Sequence, residues 1–373
     1  MIEYSSPNTN KPLHVGHLRN NFLGQSLCNI YTKIGYEVVK TCIVNDRGIH
    51  ICKSMIAWQQ YGNNETPNST HKKGDHFVGD YYVKFNEIYK QEAAAYTAKF
   101  PEKIQEGKIV NEQVPILLEA QEMLQKWENN DPVIRTLWTT MNNWVYSGFD
   151  ETYKRIGTTF DKIYYESEIY LLGKSLVELG LQKKVFYKAP DNSVWIDLSK
   201  EGYDQKIVQR KDGTSVYITQ DLALANLKQQ DYHANKSMYI VGDEQNYHFQ
   251  VLKLICEKLE IEGAEQIFHL SYGMVELPSG KMKSREGTVV DADDLIDAMI
   301  EIAKQKTNEL SKTANFNEQE LLKLYNTIGL GALKFFLLRV SPANKMVFNP
   351  EESIDFKGFT APFIQYTHAR IQS

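Results

Sequence analysis

The order in which β-rich and helical runs alternate constrains the fold of this chain more than any other feature. Near its start, residues 2–5 and 36–44 are short runs of β-forming residues. Residues 14–34 between them place apolar side chains at helical spacing, and Gly35 supplies a helix stop. A strand, a loop, a helix and a second strand in this order predict the first half of a parallel sheet with helices on its faces.

The same alternation returns in the second half of the chain. Residues 216–219 (VYIT) are predicted to form a strand, and a helical run follows them. Residues 237–242 are predicted as the next strand, residues 246–259 as a helix and residues 268–275 as a further strand. The two halves together predict an α/β fold built on a Rossmann-type doubly wound parallel sheet.

Two stretches interrupt this pattern and indicate insertions. Residues from about 55 to 144 are rich in aromatic residues and contain three helical runs, the last beginning at Asp131 and Pro132. Residues 185–218 alternate in period two around Asp-Asn and Asp-Gly turns, which is typical of a β-hairpin. The helical pattern at 356–373 leaves its apolar side chains without a partner, so either the chain is cut at a domain junction or this helix folds back on the core.

The length and composition are those of a soluble globular protein of about two or three packed units. No apolar run approaches the ~20 residues that cross a bilayer, and the N-terminus lacks the basic and apolar regions of a secretory signal. The four cysteines show no CxxC spacing, which predicts a reducing, cytoplasmic location and no structural zinc. With a net charge of -5, any contact with nucleic acid must come from a local patch.

The stretch SSPNTNKPLHVGHLRNN, residues 5–21, places two histidines around a Val-Gly pair at the start of the first predicted helix. His14 and His17 would lie beside free backbone N–H groups at a helix N-terminus, where the macrodipole favours anions. Gly16 leaves room for a base or a phosphate, and imidazoles can donate to oxygens that gain charge when an α-phosphate is attacked. The pattern indicates a phosphate site, although by itself it also fits two surface histidines near a helix cap.

A second pattern, residues 277–290 (LPSGKMKSREGTVV), places Lys281, Lys283 and Arg285 between two glycines. The glycines permit a hinge, and the cations can neutralise a leaving pyrophosphate. A basic loop alone is usually a solvated surface. After a strand of the second half, in a chain that also contains HxGH, it indicates phosphate chemistry.

Several ordered motifs carry a resemblance to a known family. PNTNKPLHVGH resembles the HIGH motif of class I aminoacyl-tRNA synthetases, and GKMKSREG resembles a degenerate KMSKS loop. More narrowly, IEYSSPN, YITQD, VGDEQNYHF and PFIQYTHARI resemble arginyl-tRNA synthetases, and the resemblance runs through essentially the whole chain. It implies a Rossmann catalytic core that makes arginyl-adenylate from L-arginine and ATP with Mg²⁺ and transfers arginine to tRNA(Arg). A monomer that does not bind membranes is expected.

The resemblance also assigns roles to particular residues. Catalysis is implied for His14, His17, Lys11 and Lys281; ATP binding for Gly16, the same two histidines, Gly242, Asp243, Met274, Val275, Met282, Ser284 and Arg285; and arginine binding for Glu3, Asn8, Tyr217, Asp221 and Gln245. One departure is that Ser284 stands where the KMSKS pattern has its second lysine. Lys11, three residues before His14, is predicted to replace that lysine.

The resemblance and the motifs together suggest a division of the chain. The expected parts are a first half of the Rossmann core (1–55), a helical insertion (56–150), a core strand and helix (151–175), a β-hairpin insertion (176–213), the second half of the core (214–275), a KMSKS-like loop with a helical stem (276–355) and the start of a helical anticodon-binding domain (356–373). The family's N-terminal tRNA-binding domain and the remainder of its anticodon-binding domain are not expected among these residues.

The residue types of the implied arginine site suit a guanidinium. Glu3 and Asp221 would lie at the carboxyl edge of a parallel sheet, where ligands bind. Two carboxylates with the amide oxygens of Asn8 and Gln245 match a planar fork of five donors better than they match an anionic or apolar amino acid. Either carboxylate could instead be a surface charge at a strand end or near a helix N-terminus. Which of them would hold the guanidinium stays open, and His248 would contact the ribose or pack in the core.

Two other functions are compatible with part of the sequence. A small nucleotidylyltransferase with an HxGH motif would explain the first pattern, but not the long insertion, the basic loop or the paired carboxylates. A non-catalytic fragment that binds tRNA or nucleotide would keep the core without turnover.

Overall fold

The computed structural model describes residues 1–101, 114–276, 290–309, 316–348 and 359–373, together with the backbone of two short strands within 104–109. The strands are β1 Ile2–Glu3, β2 Lys40–Val44, β3 Ile104–Gln105, β4 Lys108–Ile109, β5 Lys162–Tyr165, β6 Tyr187–Lys188, β7 Val194–Ile196, β8 Lys206–Gln209, β9 Ser237–Gly242, β10 Ile267–Tyr272, β11 Val275–Glu276 and β12 Met346–Val347. The helices are α1 Val15–Lys33, α2 Ile49–Tyr61, α3 Pro67–Thr70, α4 Gly74–Lys99, α5 Pro115–Glu128, α6 Pro132–Ile156, α7 Glu166–Ile169, α8 Gly173–Gln182, α9 Tyr217–Tyr232, α10 Asn246–Lys258, α11 Ala292–Glu309, α12 Glu318–Leu338 and α13 Ala361–Gln372.

A five-stranded sheet of order β10-β9-β1-β2-β5 forms the centre of the chain, and its strands all run parallel. Ile2 of β1 pairs with Lys40 on one side and with Met238 on the other. The chain therefore builds the sheet outward from β1 in both directions, which confirms the doubly wound fold. Ligands bind such sheets at the carboxyl ends of the strands beside the point where the order reverses. Here that point lies after β1 and β9.

The first helix joins this sheet to a large apolar core. Val15, Leu18 and Phe22 of α1 are buried in a cluster that includes residues of α2, α4, α5, α6, α11 and α12. Gly24 lets α1 approach β1 closely, since an added Cβ would lie 2.2 Å from the Tyr4 ring. The helix ends at Lys33, and Gly35 follows with a φ of +95° that a glycine adopts without strain.

The predicted strand at 216–219 is wrong, because α9 begins at Tyr217. Val216 alone keeps an extended backbone, as the N-cap of the helix. Ile218 and Leu222 are buried one turn apart, so the run of β-forming residues already belongs to the apolar face of a helix. Thr219 turns its hydroxyl to the carbonyl oxygen of Val208. Packing has overridden the β propensity of the other three residues, 217–219.

The three predicted helices of the insertion are confirmed as α4, α5 and α6. Asp131 is the N-cap of α6, and its carboxylate accepts hydrogen bonds from the backbone N–H groups of Val133 and Ile134 at 2.9 and 3.1 Å. The predicted loop at 62–75 contains the short helix α3. The predicted boundaries of the insertion, at residues 55 and 150, both fall inside helices, the first in α2 and the second in α6. The insertion also shares one apolar core with α1.

The predicted β-hairpin is part of a three-stranded antiparallel sheet, β6-β7-β8. The Asp-Asn turn lies between β6 and β7, where Asn192 has a φ of +71°. The Asp-Gly turn follows β8, where Gly213 has a φ of +82°. Both turns therefore use the left-handed conformation that their residues tolerate.

Helix α12 is long and apolar enough to cross a membrane, by length and composition alone. No apolar run of that kind was expected from the sequence. Tyr325, Ala332 and Phe336 are buried along one face. It packs along α11 so closely that a Cβ on Gly329 would lie 2.9 Å from the Cα of Ile300. A core helix of this kind passes the same compositional test, so the length and composition of α12 are only weak evidence for a membrane span.

The last helix, α13, docks on α12, where the side-chain amide of Gln365 donates to the carbonyl oxygen of Thr327 at 3.0 Å. It nevertheless exposes Phe363, Ile364 and Ile371 by half or more of their surface. Folding back on the core thus covers only part of its apolar surface.

Candidate active site

The HxGH motif forms the first turn of α1. His14 is the N-cap, and its Nδ1 accepts a hydrogen bond from the backbone N–H of Gly16 at 3.1 Å. The backbone N–H of His14 in turn donates to Nδ1 of His17 at 3.1 Å. A side chain at position 16 would press on the His14 ring, because an added Cβ would lie 2.9 Å from Cε1. The glycine is therefore needed for the cap itself.

These contacts fix the protonation of both imidazoles. Because each Nδ1 accepts from a backbone N–H group, each ring carries its proton on Nε2. Burial, and then the charge of Lys11, lowers the pKa of His14 to about 3, although Asp291 raises it. Burial, with His14 and Lys11 adding to it, lowers the pKa of His17 well below its usual range. Near pH 7 the helix N-terminus thus presents two neutral imidazoles, each with one N–H donor.

The loop between β1 and α1 is held in a strained conformation. Ser5 and Ser6 have φ values of +81° and +47°, which side-chain-bearing residues rarely adopt. The backbone N–H of Ser5 donates to the amide oxygen of Asn20, and its hydroxyl is 2.6 Å from the Tyr153 hydroxyl. Contacts from α1 and α6 therefore fix the path of the chain into the HxGH turn.

Lys11 lies beside His14 in a cleft of roughly 220 Å³. The opposite walls of this cleft are His76 of α4 and Asp291, which precedes α11. The placement is consistent with a role near the phosphates, which stays a prediction.

The predicted residues of the basic loop, Lys281, Met282, Ser284 and Arg285, lie outside the described residues. The chain on either side is described. Glu276 ends β11, and the carbonyl oxygen of Val290 accepts from the backbone N–H of Val15 at 3.1 Å. Val290, the first described residue after the basic loop, therefore lies beside the HxGH turn.

The predicted ATP residues of the second half lie at the end of the sheet. β9 ends at Gly242, and Asp243 follows it directly. A Cβ on Gly242 would lie 3.5 Å from the Met274 sulfur, so these two positions are neighbours. Val275 is buried in β11. Their role in binding ATP remains a prediction.

Glu3 lies at the carboxyl end of β1, where the sequence analysis placed it, but its carboxylate already has a partner. It forms an ion pair with Lys228, whose side chain is fully buried while that of Glu3 is 6% exposed. The Lys228 ammonium also lies over the rings of Tyr239 and Tyr164, at 4.8 and 5.7 Å from their centroids. The charge of Glu3 is therefore balanced inside the chain.

Asp221, in the second turn of α9, accepts a hydrogen bond from His248, with 2.6 Å between Oδ2 and Nε2. Its charge and that of Glu3 both add to the effect of burial in raising the pKa of the Tyr239 phenol, so both act on that ring. His248 thus contacts the predicted arginine site, an arrangement that the sequence analysis did not consider.

The other predicted arginine residues are more exposed. Tyr217 begins α9 with 77% of its surface accessible. Gln245 follows β9, and Asn8 pairs through its backbone with Asn45 beyond β2. All three lie on segments that border the switch point of the sheet, and their role stays a prediction.

Sequence reasoning missed Glu166, which directly follows β5 at the carboxyl edge of the sheet. Burial, opposed by Arg47 from 3.7 Å away and aided by the charges of Asp46 and Asp221, raises the pKa of its carboxyl to about 7. The charge of Asp221 is felt at Glu166, and both residues lie toward the carboxyl edge of the sheet. An acidic residue directly after a β-rich run was the available signal.

One cluster has the composition of a metal site. Asp75, His76 and Asp293 bring their ligand atoms close together. However, the ammonium of Lys73 lies 2.9 Å from Asp75 and 2.7 Å from Asp293. A cation of the chain itself occupies the position that a metal ion would take, so this cluster does not fit a divalent ion.

The cysteines are free thiols, and all four are buried. Burial raises the pKa of Cys28 to about 11 and those of Cys42, Cys52 and Cys256 to about 12. Zinc is bound by thiolates, which such groups resist forming. The expectation of no structural zinc stays a prediction.

Solved structures establish the class of this fold. The chain resembles the arginyl-tRNA synthetase of Thermus thermophilus with a TM-score of 0.80 and 21% identity, covering 99% of this chain and 63% of that one. It resembles the arginyl-tRNA synthetase of Plasmodium falciparum with a TM-score of 0.73 and 19% identity, covering 99% and 57%. At such identities the likeness shows the fold alone, and the fold is that of a class I aminoacyl-tRNA synthetase core.

The particular family follows from closer matches. A family model described as "tRNA synthetases class I (R), catalytic domain" matches residues 1–349. The chain therefore belongs to this family, the arginyl branch of the class. It is similar to the arginine–tRNA ligases of Phocaeicola vulgatus, 60% identical over 377 residues, and Bacteroides thetaiotaomicron, 59% identical over 373 residues. These matches cover 100% of this chain and 62% of each relative, so the chain spans less than two thirds of their length.

Proposed function

We propose that the chain activates L-arginine with ATP, forming arginyl-adenylate and pyrophosphate, and transfers the arginine to tRNA(Arg). The arrangement that carries the proposal is the pair of neutral imidazoles at the N-terminus of α1, next to a sheet edge where Glu3, Asp221 and Glu166 collect. The imidazole pair suits a phosphate, and the acidic sheet edge suits a cationic amino acid. The relatives named arginine–tRNA ligase support this combination.

In the proposed reaction, a carboxylate oxygen of arginine attacks the α-phosphorus of ATP. A bond forms between these atoms, and the bond to the bridging oxygen of the β-phosphate breaks, so that pyrophosphate leaves with the electron pair. Negative charge grows on the α-phosphate oxygens in the transition state. His14 and His17 stabilise it by donating from Nε2, and because both rings are neutral before and after, no proton needs to move.

The leaving pyrophosphate requires cations. Lys11, in the cleft beside His14, would take this role from one side. Lys281 and Arg285, in the basic loop that precedes Val290, would take it from the other. Mg²⁺ would arrive as the counter-ion of ATP, since the cluster of Asp75, His76 and Asp293 holds a lysine instead.

The acidic residues at the sheet edge provide selectivity for arginine. Lys228 already neutralises Glu3 and Arg47 lies 3.7 Å from the Glu166 carboxylate, so within the described part of the chain Asp221, paired with His248, is the carboxylate of the site without a lysine or arginine partner. We assign the guanidinium to Asp221, because one carboxylate can accept from two donors of the planar fork at once. The exposed amide oxygens of Asn8 and Gln245 are then left to accept from the α-amino end of the amino acid. A cationic ligand would also favour the ionised form of Glu166.

Binding measurements test this assignment without requiring turnover. Calorimetric titration of the chain with arginine, lysine, glutamate and glutamine should show arginine binding best. Asp221→Asn should weaken arginine binding by roughly 10-fold or more, because a charge-assisted pair with the guanidinium is lost. Asp197→Asn, on an exposed turn where the carboxylate accepts from the backbone N–H and hydroxyl of Ser199, is the control. Preference for glutamate or glutamine would refute the arginine assignment and leave the class I fold intact.

The proposal also covers the cellular location and the oligomeric state of the enzyme. A cytoplasmic monomer that does not bind membranes is proposed from the composition and from the role of the family in translation. Two alternatives are another HxGH nucleotidylyltransferase and a binding fragment without turnover. Measurements of arginine binding and of pyrophosphate release distinguish them from the proposed function. The first would use ATP without arginine, and the second would bind arginine without releasing pyrophosphate.

A further inference from the structure

The start of α11 is attached to the HxGH turn through the backbone. The N–H of Val15 donates to the carbonyl oxygen of Val290 at 3.1 Å, and the N–H of Ala292 donates to that of Leu13 at 2.9 Å. His14 and Asp291 thus face each other in an antiparallel bridge. Any shift of the first turn of α11 would therefore move the backbone that carries His14.

Asp291 connects this junction to the insertion. One carboxylate oxygen caps α11 by accepting from the N–H groups of Asp293 and Asp294, at 2.8 and 3.1 Å. The other lies 3.2 Å from Nε2 of His76 on α4. The same imidazole nitrogen is 3.6 Å from Asp293. The carboxylates of Asp291 and then Asp293 raise the pKa of His76 to about 10 against the effect of burial, so the ring is a cation near pH 7.

Asp293 is the centre of a larger group of ion pairs. It is 8% exposed, and it accepts from Lys73 at 2.7 Å, from Arg155 at 2.8 Å and from the hydroxyl of Thr152 at 3.0 Å. Lys73 precedes α4, while Thr152 and Arg155 belong to α6. Three donors on one buried carboxylate restrict its position far more than a single surface pair would.

We propose that Asp291, Asp293, His76, Lys73 and Arg155 form a positioning network that holds the start of α11, and with it the His14 backbone, in the geometry required for adenylate formation. The inference rests on the proposed function and deepens it. These are positioning residues, because they act through the backbone junction. The helical insertion would then contribute to catalysis by fixing the phosphate end of the site.

The network makes a specific kinetic distinction possible. Within the described part of the chain, the ion pairs of the network link the start of α4, the end of α6 and the start of α11, and none of them involves Glu3, Asp221 or Glu166. Disturbing it should therefore misplace the donors to the transition state and leave arginine binding intact. Misplacement of a reacting geometry lowers kcat more than it changes KM.

The test compares Asp293→Asn and His76→Gln with wild type in two measurements. Amide hydrogen exchange followed by NMR or mass spectrometry should show loss of protection at Val15 and Ala292, with the central strand β9 unchanged. Arginine-dependent pyrophosphate exchange, with tRNA(Arg) present, should show kcat lowered roughly 10-fold or more and the KM for arginine within about twofold. Asp294→Asn, one residue away and without an ion pair in the network, is the matched control and should retain protection at both amides.

Three results would overturn the proposal. These are unchanged protection of Val15 and Ala292 in both variants, an equal loss of protection throughout the sheet, and a kinetic loss that appears in the KM for arginine instead of in kcat. If Asp293→Asn fails to fold, His76→Gln decides the same question. If the wild-type chain shows no exchange activity, the proposed function fails, and the amide measurements still decide whether the network positions the junction.

Discussion

The buried ion pair between Glu3 and Lys228 leads to a quantitative prediction about stability. Lys228 is fully buried, and Glu3 at the end of the central strand is almost so. In the change Lys228→Met the side chain keeps its approximate length and loses its charge. Glu3 is then left as an uncompensated carboxylate in the middle of the sheet, with the aromatic rings of Tyr239 and Tyr164 as its surroundings.

The expected loss of unfolding free energy is large because little water reaches either group. Removing one partner of a buried pair costs about 3–5 kcal/mol, whereas replacing both partners by uncharged groups of similar size is often nearly neutral. We therefore expect Lys228→Met to lower the free energy of unfolding by about 3–5 kcal/mol. Addition of Glu3→Gln should recover much of this loss, giving a coupling energy of at least about 1–2 kcal/mol between the two positions.

Equilibrium unfolding in urea at pH 7 measures the four corners of this double-mutant cycle. Lys126→Met is a control, because Lys126 and Glu122 form an exposed pair on α5 with 2.8 Å between their charged atoms, and its loss should change stability little. Additive effects of the two core substitutions would refute the reasoning. So would a Lys228→Met variant as stable as wild type.

Three further outcomes follow from the site. His17→Ala should lower the rate of arginine activation by roughly 10²-fold or more with a smaller change in ATP affinity, and an unchanged rate would remove His17 from the mechanism. Lys11→Ala should impair activation strongly, and Ser284→Lys in that background should restore part of it; complete lack of rescue would show that the two positions do not share a role. Because the pKa of His76 is raised in the folded state to about 10, its contribution to stability is fully present below the unfolded value of about 6.5 and is lost as pH rises through 10. Thermal unfolding between pH 6 and 10 should therefore show wild type losing on the order of 1–2 kcal/mol more than His76→Gln, a figure reduced for the partly exposed ring, and parallel curves would contradict the assignment.

The parts of the fold that sequence could predict are those set by local pattern. The parallel sheet followed from short β-forming runs separated by helices, and α1 followed from the helical spacing of its apolar residues and from Gly35 after its end. The helices of the insertion followed from apolar spacing and from Asp131. Each of these features depends on residues within a few turns of one another.

Contacts between side chains that are far apart in the chain could not be predicted from the sequence. Glu3 and Lys228 are 225 positions apart, and no local pattern indicates that a buried lysine would meet the end of the first strand. Glu166 joins the acidic site only because β5 lies at the edge of the same sheet. The strand predicted around Ile218 failed for a related reason, since burial on the helical face of α9 outweighed the local β propensity.

The same limit applies to electrostatics. The HxGH pattern predicted a phosphate site, but the tautomers of His14 and His17 depend on which backbone groups their Nδ1 atoms contact. The charge of His76 depends on Asp291 and Asp293, which are more than two hundred residues further along the chain. Such contacts require the folded structure.

The central claim is that neutral imidazoles and an acidic sheet edge together make this chain an arginine-activating enzyme. Pyrophosphate exchange measured with each of arginine, lysine, glutamate and glutamine, with ATP, Mg²⁺ and tRNA(Arg) present, tests it most directly. The account predicts exchange with arginine, little with lysine and none with the other two, and a loss of the arginine signal in Asp221→Asn. Exchange that proceeds equally well without arginine, or better with another amino acid, would contradict it.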